Sequence, residues 1–371
     1  MVSFYRVEKY DVALIKAALE KAIEDAGGMA WLLAKGKKVV IKPNLVVKKA
    51  PEGCATTHPA VVEAMLQILL PHTNDITVAE CPGGPNTEGL LAGIYRGCGI
   101  KEVCDRYGVP ISFDMTAVAL PVKDGIVVKE VELLKTFAEA DVFINLTKMK
   151  THSLTTCTGA AKNLYGAVPG LRKVEFHARF PKPEDFAALI LDINRALVPT
   201  FSVIDGIWGM EKEGPSGGEP KFAGALLAGT DTLEMDFAEA AFMGIDPDTC
   251  PILARAKKEG RSDGTFTVTG DDFEASKPTP FILPNSRKSV LVWGPNLFGG
   301  RLAALLSPHP VIETKICRGC GECARLCPQK TIEMKNGKAH IIRKNCIRCY
   351  CCQEMCPARA VKTKSLKVFG I

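Results

Sequence analysis

Eight cysteines near the carboxyl end constrain this chain more than any other feature. The first four read C-x2-C-x2-C-x3-C before Pro328, and the same pattern recurs 29 residues later before Pro357. Loops of this kind present three thiolates to one cubane, and the fourth cysteine of each run serves the cluster of the other run. We therefore predict two [4Fe-4S] clusters, one held by Cys317, Cys320, Cys323 and Cys356 and the other by Cys346, Cys349, Cys352 and Cys327.

This cysteine-rich segment resembles the bacterial two-cluster ferredoxins. Zinc sites do not need a third cysteine at this spacing, and disulfides do not fit a motif that matches metal ligation so closely. Between the two runs, alternating residues flank Asn336-Gly337, which is typical of a β-hairpin. Cys351 belongs to neither predicted ligand set. The resemblance implies an electron-transfer module in a reducing compartment.

The rest of the chain is too long to be part of a ferredoxin. Of its 371 residues, 47% are hydrophobic and 24% charged, which is the composition of a globular protein. We predict two domains, 1–305 and 306–371, with a Pro- and Gly-rich linker at 294–311. No apolar run is long enough to span a bilayer and the N-terminus lacks signal-peptide features, so we expect a cytoplasmic protein. The eight cluster cysteines indicate a reducing compartment, and we expect an anaerobe.

Apolar runs alternate with amphipathic segments in the first domain. Strand character is found at 37–45, 75–80, 109–115, 140–146 and 201–210, and helical spacing at 58–70 and 185–197 and in two segments after residue 230. The Gly-rich segment 213–220 is predicted to be a long turn. The alternation predicts an α/β domain with a mainly parallel sheet and helices on both faces, followed by a small α+β two-[4Fe-4S] ferredoxin-like domain.

Polar residues lie at or just after the carboxyl ends of the predicted strands, where α/β sheets bind ligands. Lysine, asparagine and histidine side chains donate hydrogen bonds, which suits a phosphate, a carboxylate or a flavin phosphate. Each lysine taken alone is equally compatible with a solvated surface charge, and His177 with a structural histidine. The catalytic candidates are Lys42, Lys148, Lys150, His152, Lys162, Asn163 and His177.

A second group of residues is predicted to orient or hold a cofactor. Carboxylates among several cations can orient a ligand or bind a metal. Gly83 and Gly84 follow a predicted strand and would seat a phosphate or form a plain tight turn, while the two common glycine-rich nucleotide motifs are absent. These cofactor-binding candidates are Asn44, Glu80, Gly83, Gly84, Asp205 and Glu211.

The net charge of +6 is unevenly distributed. Residues 312–371 contain 13 Lys and Arg against 4 Glu, and residues 145–182 contain 7 against one. Two clusters with their thiolates subtract roughly four charges, so the cysteine-rich module should stay positive. We expect an acidic ferredoxin or flavodoxin as redox partner and a small anionic substrate. Nucleic acid is not expected, because no aromatic residues are interleaved with the basic ones.

Several blocks of the large domain together resemble the domain-of-unknown-function family 362, whose members usually carry a C-terminal two-cluster ferredoxin module. The blocks are VIKPN at 40–44, TTHP at 56–59, NLTKMKTH at 145–152, TGAAKNLYG at 158–166, VIDGIWGMEKEGPSGG at 203–218 and GTDTLEMD at 229–236. The resemblance implies an α/β domain joined to clusters and leaves the activity open. Where relatives read M-E-G-x-G-P, this chain has Lys212 and Glu213 before Gly214.

Three functions are compatible with these features. The first is an oxidoreductase in which electrons pass from the ferredoxin module to an anionic substrate or flavin in the α/β domain. The second is a non-enzymatic carrier whose large domain only docks a partner enzyme. The third is a cofactor or metallocentre maturation factor, which thiols near the acids, such as Cys54, Cys81 or Cys157, would favour.

Overall fold

The computed structural model describes residues 1–287 and 307–364. The predicted linker and domain boundary, at 294–311 and 305/306, fall mostly outside these residues. The strands of the large domain are β1 Val2–Arg6, β2 Val39–Lys42, β3 Ile76–Val78, β4 Ala117–Pro121, β5 Glu130–Leu134, β6 Val142–His152, β7 Thr156–Cys157, β8 Phe201–Glu211, β9 Glu219–Gly229 and β10 Val268–Gly270.

Helices connect most of these strands. They are α1 Val12–Asp25, α2 Gly28–Leu32, α3 Pro59–Leu69, α4 Glu88–Gly97, α5 Ile100–Tyr107, α6 Lys135–Ala138, α7 Gly159–Asn163, α8 Gly170–Arg179, α9 Pro183–Ala196, α10 Thr232–Met243 and α11 Pro251–Lys258. None of the helices in the described ranges is long and apolar enough to cross a membrane.

One large mixed sheet organises the domain, in the order β10-β1-β9-β8-β6-β2-β3, with β7 paired to the end of β6. The strands β3, β2, β6 and β8 run parallel to one another, whereas β9 is antiparallel to β8 and β1. The strands β4 and β5 form a separate antiparallel pair. The predicted α/β class with a mainly parallel sheet is confirmed.

Alternating side chains of the central strands bury both faces of the sheet. Val39 and Ile41 of β2 pack in one apolar cluster with α1, α3 and α5, while Val40 packs with α7 and α9 on the other side. This alternation follows from the two-residue repeat of a strand. Helices therefore cover both faces, and a third cluster joins α10 and α11 to β1 and β9.

Some sequence expectations differ from the observed elements. The segment predicted as a strand at 109–115 forms only a single bridge, from Val78 to Ile111. The predicted turn at 213–220 ends in β9, and β6 continues through the polar stretch to His152 instead of ending near residue 146. Its polar side chains are buried there because neighbouring strands and the second domain supply their partners, which local sequence cannot reveal.

The ferredoxin-like module is a repeated unit. It contains the strands β11 His309–Ile312, β12 Ile332–Lys335, β13 Lys338–Ile341 and β14 Val361–Lys364 and the short helices α12 Glu322–Arg325 and α13 Cys351–Glu354. The pairs β11 and β13, α12 and α13, and β12 and β14 are each offset by 29 residues, like the cysteines. The predicted hairpin at Asn336-Gly337 joins β12 to β13, and both residues have positive φ.

Asp192 on α9 offers a test of how the large domain is held together. Its buried carboxylate accepts hydrogen bonds from the amides of Ile126, Val127 and Val128 at 2.7, 2.8 and 3.0 Å, which fixes the loop between β4 and β5. We expect Asp192→Ala to lower the free energy of unfolding by about 3 kcal/mol, because three amides lose their acceptor. Asp192→Asn should cost less and exposed Glu184→Ala almost nothing, as measured by urea denaturation. An unaltered midpoint for Asp192→Ala would contradict this account.

Candidate functional site

The first predicted cluster set lies around one pocket. Cys317, Cys320, Cys323 and Cys356 all contribute to its lining, although Cys356 comes from the other half of the repeat. The amide of Ala360 donates to Cys356 Sγ at 3.2 Å, and the amide of Thr331 donates to Cys327 Sγ at 3.3 Å in the equivalent place of the other half. Amide hydrogen bonds to sulfur stabilise thiolate ligands and tune cluster potentials.

The four cysteines of the second predicted set also lie near one another. The Cys352 thiol has Cys349, Cys346 and Cys327 as electrostatic neighbours, together with Cys323 of the first set. A cubane places its thiolates at separate iron corners, farther apart than ligands of one ion. Within residues 1–287 and 307–364, no group of three or more His, Cys, Asp or Glu is arranged to hold a single metal ion. The assignment of two clusters, each with one ligand from the opposite run, stays a prediction.

A second pocket lies where the module meets the large domain, and we call it the junction pocket. Its cavity volume is about 100 Å³, and it opens to solvent. The module contributes Leu326, Cys351, Glu354 and Met355 to its wall. Of the predicted site residues, the pocket brings together Asn44, Glu80, Gly83, Gly84, Lys150, Lys162, Asn163 and His177.

A buried chain of hydrogen bonds forms the floor of the junction pocket. Lys150 Nζ donates to Asn44 Oδ1 at 2.5 Å and to the Ala55 carbonyl at 2.7 Å. Asn44 Nδ2 donates to Asn163 Oδ1 at 2.7 Å, and Asn163 Nδ2 donates to Asn145 Oδ1 at 2.8 Å. The end of β2, the strand β6 and the helix α7 are thereby tied into one rigid surface. Burial lowers the pKa of Lys150 well below its ordinary value.

Lys42 and Glu80 form a buried ion pair at the ends of β2 and β3. Glu80 lines the junction pocket and Lys42 lies behind it. A Cβ atom at Gly166 would collide with the ends of both side chains, so a larger residue at this position would displace them. Gly83 and Gly84 belong to the opposite wall, where they approach Met355 and Leu326 of the module. Their position is that of a domain contact rather than a helix N-terminus, since α4 begins only at Glu88.

Lys162, His177 and Thr158 carry polar atoms of the junction pocket that make no hydrogen bond within the described residues. Lys162 makes no hydrogen bond or ion pair within the described ranges, and burial lowers its pKa. The buried His177 ring stacks on Phe186 with centroids 4.6 Å apart, and its Nδ1 has no hydrogen-bond partner in the part of the chain described. Burial lowers the pKa of His177 to about 4, so the ring is neutral near pH 7.

Helix α13 of the module is fixed to the large domain by polar contacts. His152 Nδ1 accepts from the amides of Leu154 and Thr155 at 3.0 and 3.3 Å, so Nε2 carries the proton and lies 3.1 Å from Glu354 Oε1. Burial lowers the pKa of His152 to about 3. His152 is therefore a neutral residue of the domain interface and lies outside the junction-pocket lining.

The loop that departs from the family pattern takes part in the same interface. Glu213 Oε2 accepts from Gln353 Nε2 at 2.9 Å, and Ser216 Oγ donates to the Glu354 carbonyl at 2.7 Å. Ser153 Oγ donates to Gln353 Oε1 at 3.1 Å. Glu213 and the residues after β6 thus hold α13 in place. This helix carries Cys351 and Glu354, so the same contacts fix the module's side of the junction pocket.

Other predicted residues lie away from the junction pocket. Lys148 Nζ donates to Asp205 Oδ2 at 2.8 Å and to the Tyr10 hydroxyl at 2.6 Å, in a buried cluster of its own. Glu211 pairs with Lys221 at 3.2 Å near the protein surface. Lys148, Lys150 and His152 do share the extended strand β6, but they have different partners. A substrate or cofactor role for Lys148, Asp205 and Glu211 stays a prediction.

Sequence reasoning missed Lys173, Tyr165 and Thr158, all of which line the junction pocket. Lys173 Nζ donates to the carbonyls of Cys81 and Val168, so it adds a buried positive charge. The position of Lys173 next to exposed Arg172, which pairs with Glu132 and Glu175, gave no sign of burial. Glu354 and Cys351 were missed because their roles depend on domain docking.

Fold and site together define a protein with an α/β domain docked onto an iron–sulfur module. The family described as Domain of unknown function (DUF362) matches residues 39–241, and the chain belongs to this family. A 4Fe-4S dicluster domain matches residues 309–357, which supports iron–sulfur electron transfer.

Two individual proteins are similar to this chain. A thylakoid-associated protein from Synechocystis sp. (strain ATCC 27184 / PCC 6803 / Kazusa) is 29% identical over 286 residues, which cover 76% of this chain and 86% of that protein. Among solved structures, the lactate racemase apoprotein from Thermoanaerobacterium thermosaccharolyticum has a TM-score of 0.40 at 14% identity, over 66% of this chain and 56% of that chain.

The crossed cysteine assignment predicts which variants behave alike. With one ligand removed, we expect iron to fall from about eight to about four atoms per chain. Under the crossed assignment, Cys356→Ala should match Cys317→Ala, because both lose a ligand of the first set, and differ from Cys346→Ala. Iron analysis and electron paramagnetic resonance of the reduced protein would show this. If Cys356→Ala instead reproduces the Cys346→Ala spectrum, the crossed assignment is wrong.

His177 predicts a dependence of stability on pH. Its folded-state pKa of about 4 lies below the ordinary value of 6.5, so the unfolded chain binds the proton more tightly and stability falls as pH drops from 6.5 towards 4. Between pH 7 and 5 this group should cost about 2 kcal/mol. His177→Phe should remove that part of the loss in urea unfolding experiments, whereas His72→Phe at an exposed site should not. Equal pH profiles for wild type and His177→Phe would exclude the effect.

Proposed function

We propose that this protein is an oxidoreductase that passes electrons from its ferredoxin module to a small anionic substrate bound in the junction pocket. The observation that carries the proposal is the shared wall of this pocket. One side is formed by Lys150, Lys162 and His177 of the large domain, and the other by Cys351 and Glu354 of the module. A ligand in this position would contact both the binding groups and the electron-transfer module.

The charge of the junction pocket supports an anionic ligand. Three lysines line it, Lys150, Lys162 and Lys173, and Lys42 is paired with the lining residue Glu80; the carboxylates are those of Glu80 and Glu354. Three of these lysines are already engaged with Glu80, with Asn44 or with backbone carbonyls. Lys162 is the cation without such a partner among the described residues, so it is the group best placed to bind a carboxylate or phosphate oxygen.

The route from the module to the junction pocket is short in sequence and in space. [4Fe-4S] clusters exchange one electron at a time, and two of them in one module supply two electrons. Cys351 lines the pocket and is adjacent in sequence to Cys352, a predicted ligand of the second set. Tyr165 on the opposite wall has Cys351 and Cys349 among its electrostatic neighbours. The nearness of Cys349 to Tyr165 supports a route through the second cysteine set.

Lys162 and His177 have distinct roles in this proposal. Since burial lowers the pKa of Lys162, its ammonium can release a proton to a reduced substrate more readily than an exposed lysine. His177 is neutral near pH 7, which favours a hydrogen-bonding role for its free Nδ1 over donation from an imidazolium. A flavin with its phosphate is the alternative ligand for the same pocket.

The two rival functions have less support. A carrier without ligand needs no pocket lined by buried lysines at the domain junction. A maturation factor would bring thiols and acids together, and Cys157 Sγ does lie 3.6 Å from Cys250 Sγ near Glu239. These side chains are buried, however, and they do not belong to a group that could hold a metal ion within the described ranges.

Substitution of Lys162 tests the proposal. We expect Lys162→Met to reduce substrate-dependent reoxidation of the anaerobically reduced protein at least about a hundredfold, since the unpaired cation and proton donor are both lost. Iron content and cluster absorbance should stay unchanged. Exposed Lys182→Met is the matched control, and it should react like the wild type.

The substrate itself can be sought with a panel of small carboxylates and phosphate esters, with the visible spectrum showing whether a flavin is bound. Absorption at the flavin bands of the purified protein would select the flavin alternative. Reoxidation that proceeds equally fast in wild type and Lys162→Met for every active compound would refute the role of the junction pocket.

A further inference from the structure

We infer that the module accepts electrons from an acidic one-electron carrier. The carrier binds at a surface distinct from the junction pocket, to which the electrons are delivered. This inference rests on the proposed function for the direction of transfer. We call this surface the docking face, and it consists of Lys315, Ile316, Arg318, Cys320, Pro357 and Arg359. All six residues are exposed.

The docking face surrounds the first cysteine set. Cys320 is the exposed member of the eight predicted ligands, and Arg318 and Pro357 line the same pocket as the four cysteines of this set. The amide of Glu313 donates to the Ala360 carbonyl at 2.8 Å, which brings the segment around Lys315 next to the segment around Arg359. A carrier placed here would approach the first set closely, because side chains cover it least at Cys320.

The two cysteine sets therefore have different surroundings. Cys349 of the second set is buried near Tyr165 of the junction pocket, and Cys351, next in sequence to the second-set residue Cys352, lines that pocket. The first set lies at the exposed rim, and Cys323 links the two as an electrostatic neighbour of Cys352. With the direction given by the proposed function, electrons pass from the docking face through the first set and then the second set to the junction pocket.

The charge of the docking face determines the kind of partner. Lys315, Arg318 and Arg359 form no ion pair within residues 1–287 and 307–364, whereas the nearby acid Glu322 is paired with Arg325. Lys49 of the large domain is a further positive neighbour of Arg359. Glu313 is the remaining acid beside this group. A surface with three unpaired cations and exposed Ile316 fits an acidic protein carrier with an apolar contact near its redox centre.

The transfer balances without any further reactant. Each reduced carrier loses one electron and is oxidised, and the module gains that electron and is reduced. Two carriers bind in succession to supply the two electrons that a substrate in the junction pocket requires. No covalent bond changes at the docking face.

The test is a charge reversal with a matched control. The docking variant is Lys315→Glu/Arg318→Glu/Arg359→Glu, and the control is Lys335→Glu/Lys344→Glu/Lys364→Glu, which makes the same change in net charge at exposed positions elsewhere on the module. Binding of oxidised plant-type [2Fe-2S] ferredoxin, an acidic protein, is measured by calorimetry at low and high salt. The docking variant should bind at least about tenfold more weakly than the control at low salt.

A second readout is the rate of module reduction by the same ferredoxin in its reduced form. Wild type should slow as salt increases, and the docking variant should be slow and nearly independent of salt. The milder Lys315→Gln/Arg318→Gln/Arg359→Gln variant repeats both measurements if the reversal lowers iron content. Binding by the docking variant within twofold of the control would overturn the inference.

The experiment separates this inference from the proposed function. With a small neutral photoreductant in place of ferredoxin, the docking variant should still reduce substrate at the wild-type rate. Lys162→Met should bind ferredoxin as the wild type does and yet fail to turn over. Loss of ferredoxin binding without a change in substrate reduction supports the docking face alone, and the reverse pattern supports the junction pocket alone.

Discussion

The docking of helix α13 against the ends of β6 and β8 is the contact on which the functional arrangement depends. This short helix carries the predicted ligand Cys352, the pocket residue Cys351 and the interface residue Gln353. Its partners are Ser153 and the loop with Glu213 and Ser216. Without these hydrogen bonds the junction pocket would lose one wall, and the module would have no defined distance from the lysines of the large domain. Rigid positioning is what short-range electron transfer to a bound ligand requires.

Burial of charge at this junction is stable only because nearly every group has a partner. Lys42 is paired with Glu80, Lys150 is bonded to Asn44 and a carbonyl, and Lys173 is bonded to two carbonyls. Unpaired buried charges are costly, so the exception is informative. The Nδ1 atom of buried His177 lacks a partner among the described residues, and half-buried Lys162 makes no hydrogen bond or ion pair there. Unsatisfied polar groups in a pocket are candidates for contacts with a ligand.

Sequence patterns predicted much of the fold for identifiable reasons. The helices α3 and α9 have strong apolar periodicity, and β2 ends where Pro43 interrupts its apolar run. The strand β6 was predicted too short, since its second half is polar and becomes a buried strand only because β7 and β8 pair with it. The segment at 109–115 has strand character but finds only one bridge at the sheet edge. Strand propensity is a local property of the sequence, whereas strand pairing depends on segments that are distant in the chain.

The sequence by itself determined the iron–sulfur module, because thiolate spacing is a short-range property that a 29-residue repeat displays openly. Sequence reasoning also selected strand-end and helix residues as site candidates. Six of these candidates line the junction pocket: Asn44, Glu80, Lys150, Lys162, Asn163 and His177. Only the tertiary structure decided that Lys148 and Asp205 form a separate cluster, and that Lys173 is buried. It alone placed Cys351 and Glu354 in the same wall as Gly83. These outcomes depend on contacts between distant segments, and such contacts leave no periodic trace in the chain.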